Sequence, residues 1–343
     1  MNHTVDAVEL KALGRASGLD AVGIAAAAPF LETRRHLHER KGAGLHGGMS
    51  FTYRNPERST EPGRALPGAK SIVVGARSYP APQPTGRGAR VAAYATDDHY
   101  GALRDSLGLV ADRLRWDGWK ALVLVDDNAL VDREAAYRAG LGWYGKSTNV
   151  LLPGQGSWFV LGSVLTTAPL AADDAPLSDG CGTCRRCIDG CPTGAIVAPG
   201  MVDARRCLAW LLQARGDFPL EYRVALGDRI YGCDECQEVC PPNRRAGTDT
   251  SASSEGAPND GVDIVELLSS DDETLLTRHG RWYIADRDPR YLRRNALVVL
   301  GNTAEAGDQT AAATIERYLD DPDPMLRSHA AWAAERVAER TST

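Results

Sequence analysis

Apolar residues along positions 1–172 recur with two different periods, and the switches between them outline a series of elements. Val8, Leu10, Leu13 and Ala16 are among the apolar positions of a helix predicted over 5–17, and Leu103, Leu107, Val110 and Leu114 mark another over 101–117. Short apolar runs stand among them: Asp20 to Ala25, Ser71 to Ala76, Lys120 to Val125 and Ser157 to Leu165 each read as a strand. Residues 132–140 return to a helical pattern. Helices alternating with buried strands predict an α/β domain. The longest uncharged stretch, Ser147 to Ala172, has the length of a membrane span. Pro153, Gly154, Gly156, Gly162 and Pro169 interrupt it, so it reads as a buried loop and strand.

Further along the pattern changes. Arg244 to Val262 has the Gly, Ser, Thr, Asp and Pro content of a loop or linker. Leu292-Arg293-x-x-Ala296 then returns as Leu326-Arg327-x-x-Ala330, 34 residues on, with Asp288-Pro289 and Asp323-Pro324 just ahead of the two copies. Proline is tolerated at a helix start, so two helices of a compact HEAT-type repeat are predicted. Two copies are too few for a free-standing solenoid and are expected to dock on the rest of the chain.

The 343-residue chain has 45 acidic residues against 39 Lys and Arg, a formal charge of −6, which excludes a wholly basic nucleic-acid binder but permits a local basic face. The N-terminus turns polar at once, and Arg34-Arg35 is followed by polar residues. Neither feature reads as an export signal, so a cytoplasmic protein without membrane attachment is expected. All eight cysteines lie between Cys181 and Cys240. A disulfide scaffold would be shorter and would spread them along the chain.

Their spacing is specific. Cys181-x2-Cys184-x2-Cys187-x3-Cys191-Pro192 reproduces the bacterial ferredoxin run, in which the fourth cysteine serves a different cluster from the first three. Cys233-x2-Cys236-x3-Cys240-Pro241 has the same ending but lacks one ligand, which Cys207 can supply. One cluster then takes Cys181, Cys184, Cys187 and Cys240, and the other takes Cys191, Cys207, Cys233 and Cys236. Paired structural zinc also uses four cysteines per site, but not with two Cys-Pro endings and a triple-cysteine run. Two [4Fe–4S] clusters mean one-electron transfer that feeds another redox centre.

Around the cysteines the chain resembles the epoxyqueuosine reductase family. The similar segments are Val125-Asp126-Asp127, Arg138 to Lys146, Gly156-Ser157-Trp158 leading to Leu161-Gly162, Cys191 to Ile196, Asp203 to Cys207 and Arg229 to Cys236. The resemblance implies an α/β cobalamin-binding domain of the reductive-dehalogenase-like kind over 1–172. A ferredoxin-like two-cluster module over 173–245 follows, then a linker and HEAT-like α-helical repeats that bind tRNA over 246–343. It further implies a base-off cobalamin between the first two, and the removal of the epoxide oxygen of epoxyqueuosine at the tRNA wobble position. Cobalamin contacts are expected at Arg58, Ala92, Asp126, Val150, Leu161, Ala209, Cys233 and Asp234. An external low-potential electron donor and a monomer are expected too. Two stretches depart from the family pattern: Asp126 to Ala129 with Asp132-Arg133, and Tyr94 to Gly101.

Asp126 ends an apolar strand, where ligands often meet a sheet edge. A carboxylic acid with a raised pKa there could protonate the departing oxygen, and the resemblance gives Asp126 that general-acid role. Asp127 should face the other way. His99 is expected at a helix start near the pocket rather than on cobalt, Lys146 at a substrate or cofactor contact, and Trp143 and Trp158 in the core. For tRNA, the run from Arg278 to Arg294 holds six arginines against Asp286 and Asp288. Arg293 and Arg294 are its leading candidates, with Arg215 in reserve. Two other classes fit the cysteines: a corrinoid dehalogenase-like enzyme acting on a small molecule, and an electron-transfer module without a site of its own.

Overall fold

A computed structural model describes residues 3–81, 88–173, 177–249 and 261–341. Four strands form the main sheet in the order Ala21–Ala26, Ser71–Ser78, Phe159–Thr166, Ala121–Val125, and every neighbouring pair is antiparallel. Helices do alternate with strands as expected, but the sheet contains no parallel pair. Alternation along Ser71–Ser78 splits the core in two. Val73 faces a cluster with Leu103, Leu107, Val110 and Leu114 of the helix His99–Trp116, while Ile72 and Val74 face Phe30, Ala135 and Ala136. Gly75 and Gly162 sit opposite each other in the central strands. A Cβ on Gly162 would stand 2.7 Å from Leu107 and 2.8 Å from Val125, so the bare backbone lets the long helix lie close against the sheet.

That helix begins where Asp98 accepts a hydrogen bond from the Gly101 N–H at 2.9 Å, and it stops at Asp117, before Gly118 in a left-handed conformation. The uncharged stretch forms the strand Phe159–Thr166 and its approach loop, as its prolines and glycines suggested. Among the described residues no helix is long and apolar enough to cross a membrane.

The cysteine segment is built of short pieces: helices Arg186–Asp189, Leu208–Leu211 and Glu235–Glu238, and a hairpin of Ile196–Ala198 with Met201–Val202. The expected linker divides. Its first residues belong to a helix, Pro241–Asp249, and 250–260 lie outside the described residues. The two repeat helices are Arg290–Thr303 and Pro324–Thr341, with Leu292, Ala296, Leu326 and Ala330 all buried. They share one apolar core with Leu208, Phe218 and Ile230 of the cysteine segment, so the hydrophobic interior runs straight across the expected boundary at 245/246.

Candidate functional site: two thiol quartets beside an acid-lined pocket

The eight thiols fall into two groups that feel each other electrostatically. Burial raises the Cys187 thiol, with Cys181 and Cys184 adding to it, and pushes Cys240 up to about 11, with the same three cysteines contributing. In the other group burial raises Cys207, pushes Cys233 up to about 12, and lifts Cys236 further still. The neighbours acting on these are Cys191, Cys207 and Cys233, which completes a second set of four. Such high thiol pKa values describe bare sulfur; bonding to iron stabilises the thiolate instead. Among the described residues no three His, Cys, Asp or Glu side chains converge tightly enough to hold a single ion, whereas a cubane spreads its thiolates over four corners.

Local structure positions each ligand. Cys207 sits between the turn Ala204–Arg206 and the helix Leu208–Leu211, whose Ala209 N–H points back toward its sulfur. Cys191 accepts from the Ala195 N–H at 3.2 Å. Gly232 has a φ of +72°, and a Cβ there would stand 2.4 Å from Ala92. This close approach brings Cys233 and Asp234 against Ala92, and Asp234 accepts from the Ala93 N–H at 2.6 Å. Burial, ahead of all other influences, pushes the Asp234 carboxyl up to about 6.

Asp126 follows the last residue of its strand with a φ of +52°, a left-handed conformation that aspartate tolerates better than most residues. Its residue surface is open to solvent, as a group at the mouth of a concavity would be. Protein packed around the carboxyl still raises its pKa, with Arg104 opposing and Asp127 adding to the rise. Asp132 lies deeper: burial lifts it well above the ordinary carboxyl range, and its Oδ1 has no hydrogen-bond partner among the described residues. Two tyrosines feel Asp126 as well. Burial raises Tyr100, with Asp126 and Asp132 next in weight, and burial pushes Tyr231 up to about 12. Arg133 acts on Asp132, on Tyr100 and on Cys207, so these groups lie within electrostatic reach of one cation.

The residues expected to contact cobalamin fall in three places. Ala92, Ala209, Cys233 and Asp234 border the second quartet. Val150 and Leu161 share an apolar cluster with Phe159, at the start of a central strand of the sheet. Arg58 is exposed on the short helix Pro56–Ser59. Its segment lies along the Asp126 loop, where Thr52 N–H donates to Asn128 Oδ1 at 2.6 Å and Val131 N–H to Ser59 O at 3.0 Å. His99 starts its helix as expected and stacks on Tyr79 at 5.2 Å. Trp158 is buried against Tyr79. Trp143 is half-buried and backs Gly180, just before the first cysteine. Lys146 faces the first quartet and donates to the carbonyls of Gly182 at 2.6 Å and Cys184 at 2.8 Å. Tyr100, Tyr231 and Arg133 were not singled out: Tyr231 is buried and Tyr100 half-buried, while Arg133 is exposed and enters only through its charge. An open depression of about 590 Å³ on the flank of the helix His99–Trp116 contains neither the cysteines nor Asp126.

Arg294 corrects an expectation. It is fully buried, and its guanidinium donates to the carbonyls of Ala214, Gly216, Leu211 and Leu212 at 2.6–3.2 Å. Helix periodicity turned it inward, where no phosphate can reach it. Arg293 is nearly covered, donating to Asp272 at 2.5 Å and to the Ser270 carbonyl at 2.8 Å. Arg215 is exposed and pairs with Asp286 at 2.6 Å.

Two four-thiolate sites and a pocket lined by acids with raised pKa define a two-cluster iron–sulfur oxidoreductase. The family model described as a 4Fe-4S double cluster binding domain matches residues 180–243. Over 339 residues the chain is 34% identical to the epoxyqueuosine reductase of Bacillus cereus, covering 95% of this chain and 87% of that protein. An epoxyqueuosine reductase solved with an epoxyqueuosine-modified tRNA-Tyr stem loop superposes with a TM-score of 0.84 at 31% identity, covering 96% of this chain and 89% of that one. The Bacillus subtilis enzyme, solved with its catalytic aspartate loop swung out of the active site, gives 0.82 at 30% identity, with 96% and 90% covered. This chain belongs to the epoxyqueuosine reductase family.

Proposed function

We propose that this protein reduces epoxyqueuosine to queuosine in tRNA, in the cytoplasm, with Asp126 as the proton donor. The observation that supports this reading is that one cation, Arg133, acts both on Asp132 beside Asp126 and on the Cys207 thiol. Turning an epoxide into an alkene takes up two electrons and two protons and releases water. The clusters carry electrons one at a time. A cobalamin bound between Asp126 and Cys233 would supply the reducing centre that meets the substrate carbon.

The residues present fit such a group. Asp132 Oδ1 and His99 Nε2 are buried without hydrogen-bond partners among the described residues. A corrinoid rim carries amides that can satisfy both atoms. Arg58, Ala92, Val150, Leu161, Ala209, Cys233 and Asp234 would border it. Asp126 holds its proton to higher pH than an ordinary carboxyl, because burial disfavours its charge. That direction suits a donor to the departing oxygen. The left-handed turn at Asp126 supports a movable acid, in keeping with the displaced aspartate loop of the Bacillus subtilis structure. Arg215, on the same exposed side as Asp286, is the tRNA contact retained from the arginine candidates.

The test is nucleoside analysis of modified tRNA after incubation with reduced enzyme. Asp126→Asn keeps the shape and removes the transferable proton, so alkene formation should fall by about 10²- to 10⁴-fold with iron content unchanged. Near-normal alkene formation by this variant would sink the assignment. A rate that declines as pH rises through the raised Asp126 pKa is expected of the unaltered enzyme.

A further inference from the structure

The two quartets differ in their cover. Cys233 packs against the apolar core that holds Tyr231 and Tyr94, and burial is the first cause that raises the thiols of Cys207, Cys233 and Cys236. The loop of the first quartet faces outward, and Gly182, Thr183, Arg185 and Arg186 are all exposed on it. A Cβ on Gly182 would meet nothing within 4 Å, so the loop surface next to Cys181 is open. Lys146 fixes the loop through its two carbonyl contacts. Arg244, also exposed, follows Cys240 by one helical turn and donates to the Glu238 carbonyl at 3.0 Å. Two acids stand near these cations. Asp179 accepts from the Cys181 N–H, and Asp189 meets Arg185 at 3.5 Å in a pair that leaves the arginine side chain 63% exposed. A contact so long and so wet binds little of its charge.

We propose that this cationic collar is the docking surface for an acidic, low-potential electron-carrier protein of the ferredoxin or flavodoxin kind; the inference rests on the reductase reading above. Each encounter oxidises the carrier by one electron and reduces the outer cluster by one, so two encounters supply the pair that deoxygenation consumes. Such partners bind briefly over small areas. Steering by opposite charge, rather than buried apolar surface, sets their rate. The collar has both requirements: exposed arginines, and an open loop surface that lets a partner's redox centre approach the cluster closely. The rival occupant is the tRNA phosphate backbone, but its modified base must reach the Asp126 pocket, within reach of Arg133, the cation that also acts on Cys207 of the other quartet.

The experiment uses the full-length enzyme with both clusters loaded and the double variant Arg185→Glu with Arg186→Glu. Electrons come either from a reduced acidic flavodoxin or from dithionite with methyl viologen. With flavodoxin, kcat/KM should fall about tenfold or more and its dependence on ionic strength should flatten. Flavodoxin affinity, read by titration calorimetry, should weaken in parallel. Viologen-driven turnover, iron content and tRNA affinity should stay as they were. Arg185→Lys with Arg186→Lys keeps the charge and should restore the flavodoxin rate. Unchanged flavodoxin affinity and rate in the glutamate variant overturn the proposal, and so does a loss of tRNA affinity in their place. Failure of the unaltered enzyme to make alkene with viologen would instead overturn the reductase reading, while the calorimetry still decides the collar.

Discussion

Between residues 278 and 294 six arginines stand against two acids, whereas the outer cluster loop carries only Arg185 and Arg186 between its cysteines. By count the first stretch is the phosphate site and the second is incidental. In the fold the order reverses. Arg278 pairs with Glu266, Arg290 with Asp288 and Asp323, and Arg293 with Asp272. Arg281 and Arg287 donate to the carbonyls of Ala95 and Gly280, both at 3.1 Å, and Arg294 is consumed by four carbonyls. Arg185 has one long, wet contact. Charge density in a sequence therefore measures supply, and availability depends on the acids and carbonyls that folding brings from elsewhere.

The largest effect that sharpens this contrast lies at the ligands themselves. Cys207→Ala should remove roughly four of about eight irons and abolish turnover, leaving the outer cluster's spectrum in place. Full iron content in that variant would break the partition. Next comes Arg294→Ala, which strands four buried carbonyls and should lower unfolding stability by about 3 kcal/mol or more. A variant that folds normally but loses tRNA affinity would return Arg294 to the phosphate surface.

A smaller, pH-dependent effect is expected at His329. It is fully buried; its Nε2 accepts from the Phe218 N–H at 3.1 Å and faces Arg223 at 3.0 Å. Burial holds this imidazole down at about 4. An unfolded histidine takes up its proton near ~6.5, so the contribution is whole above that pH and is lost as pH falls toward 4. Urea unfolding should show up to about 1.4 kcal/mol lost per pH unit in that window, and His329→Gln should flatten the slope. Equal slopes for the two proteins would exclude His329 as the source. The smallest effect is expected for Asp272→Ala, which releases Arg293 from an exposed partner. Filter binding should find tRNA affinity changed by less than about twofold. A large gain would mean that the ion pair masks a phosphate contact.

The two cysteine runs were legible because within each run the thiols follow at close, regular intervals; Cys207 stands apart from both and was reached only as the remaining thiol. The strand before Asp126 and the helix through Leu103 to Leu114 were legible from periodicity. Strand order was not: Ser71–Ser78 pairs with Phe159–Thr166, and only long-range packing selects that partner. The pocket was half legible. Asp126 showed itself by ending a strand, while Tyr100, Asp132 and Tyr231 matter through burial. The failure at Arg294 has the same origin, since a charged residue on a repeat helix looks identical in sequence whether it faces water or a neighbouring backbone.

The single core shared by Leu208, Phe218 and Ile230 with the last helices also sets a timetable for biosynthesis. All eight cysteines are synthesised before residues 264–341 exist. The outer site can take on its iron early, needing its own turn, the clasp of Lys146 and Cys240 from the second run. The inner quartet depends on Cys207, whose helix finds its apolar partners only when Arg290–Thr303 and Pro324–Thr341 arrive. Assembly of this protein is therefore expected to run outside-in, with the inner cluster completed last.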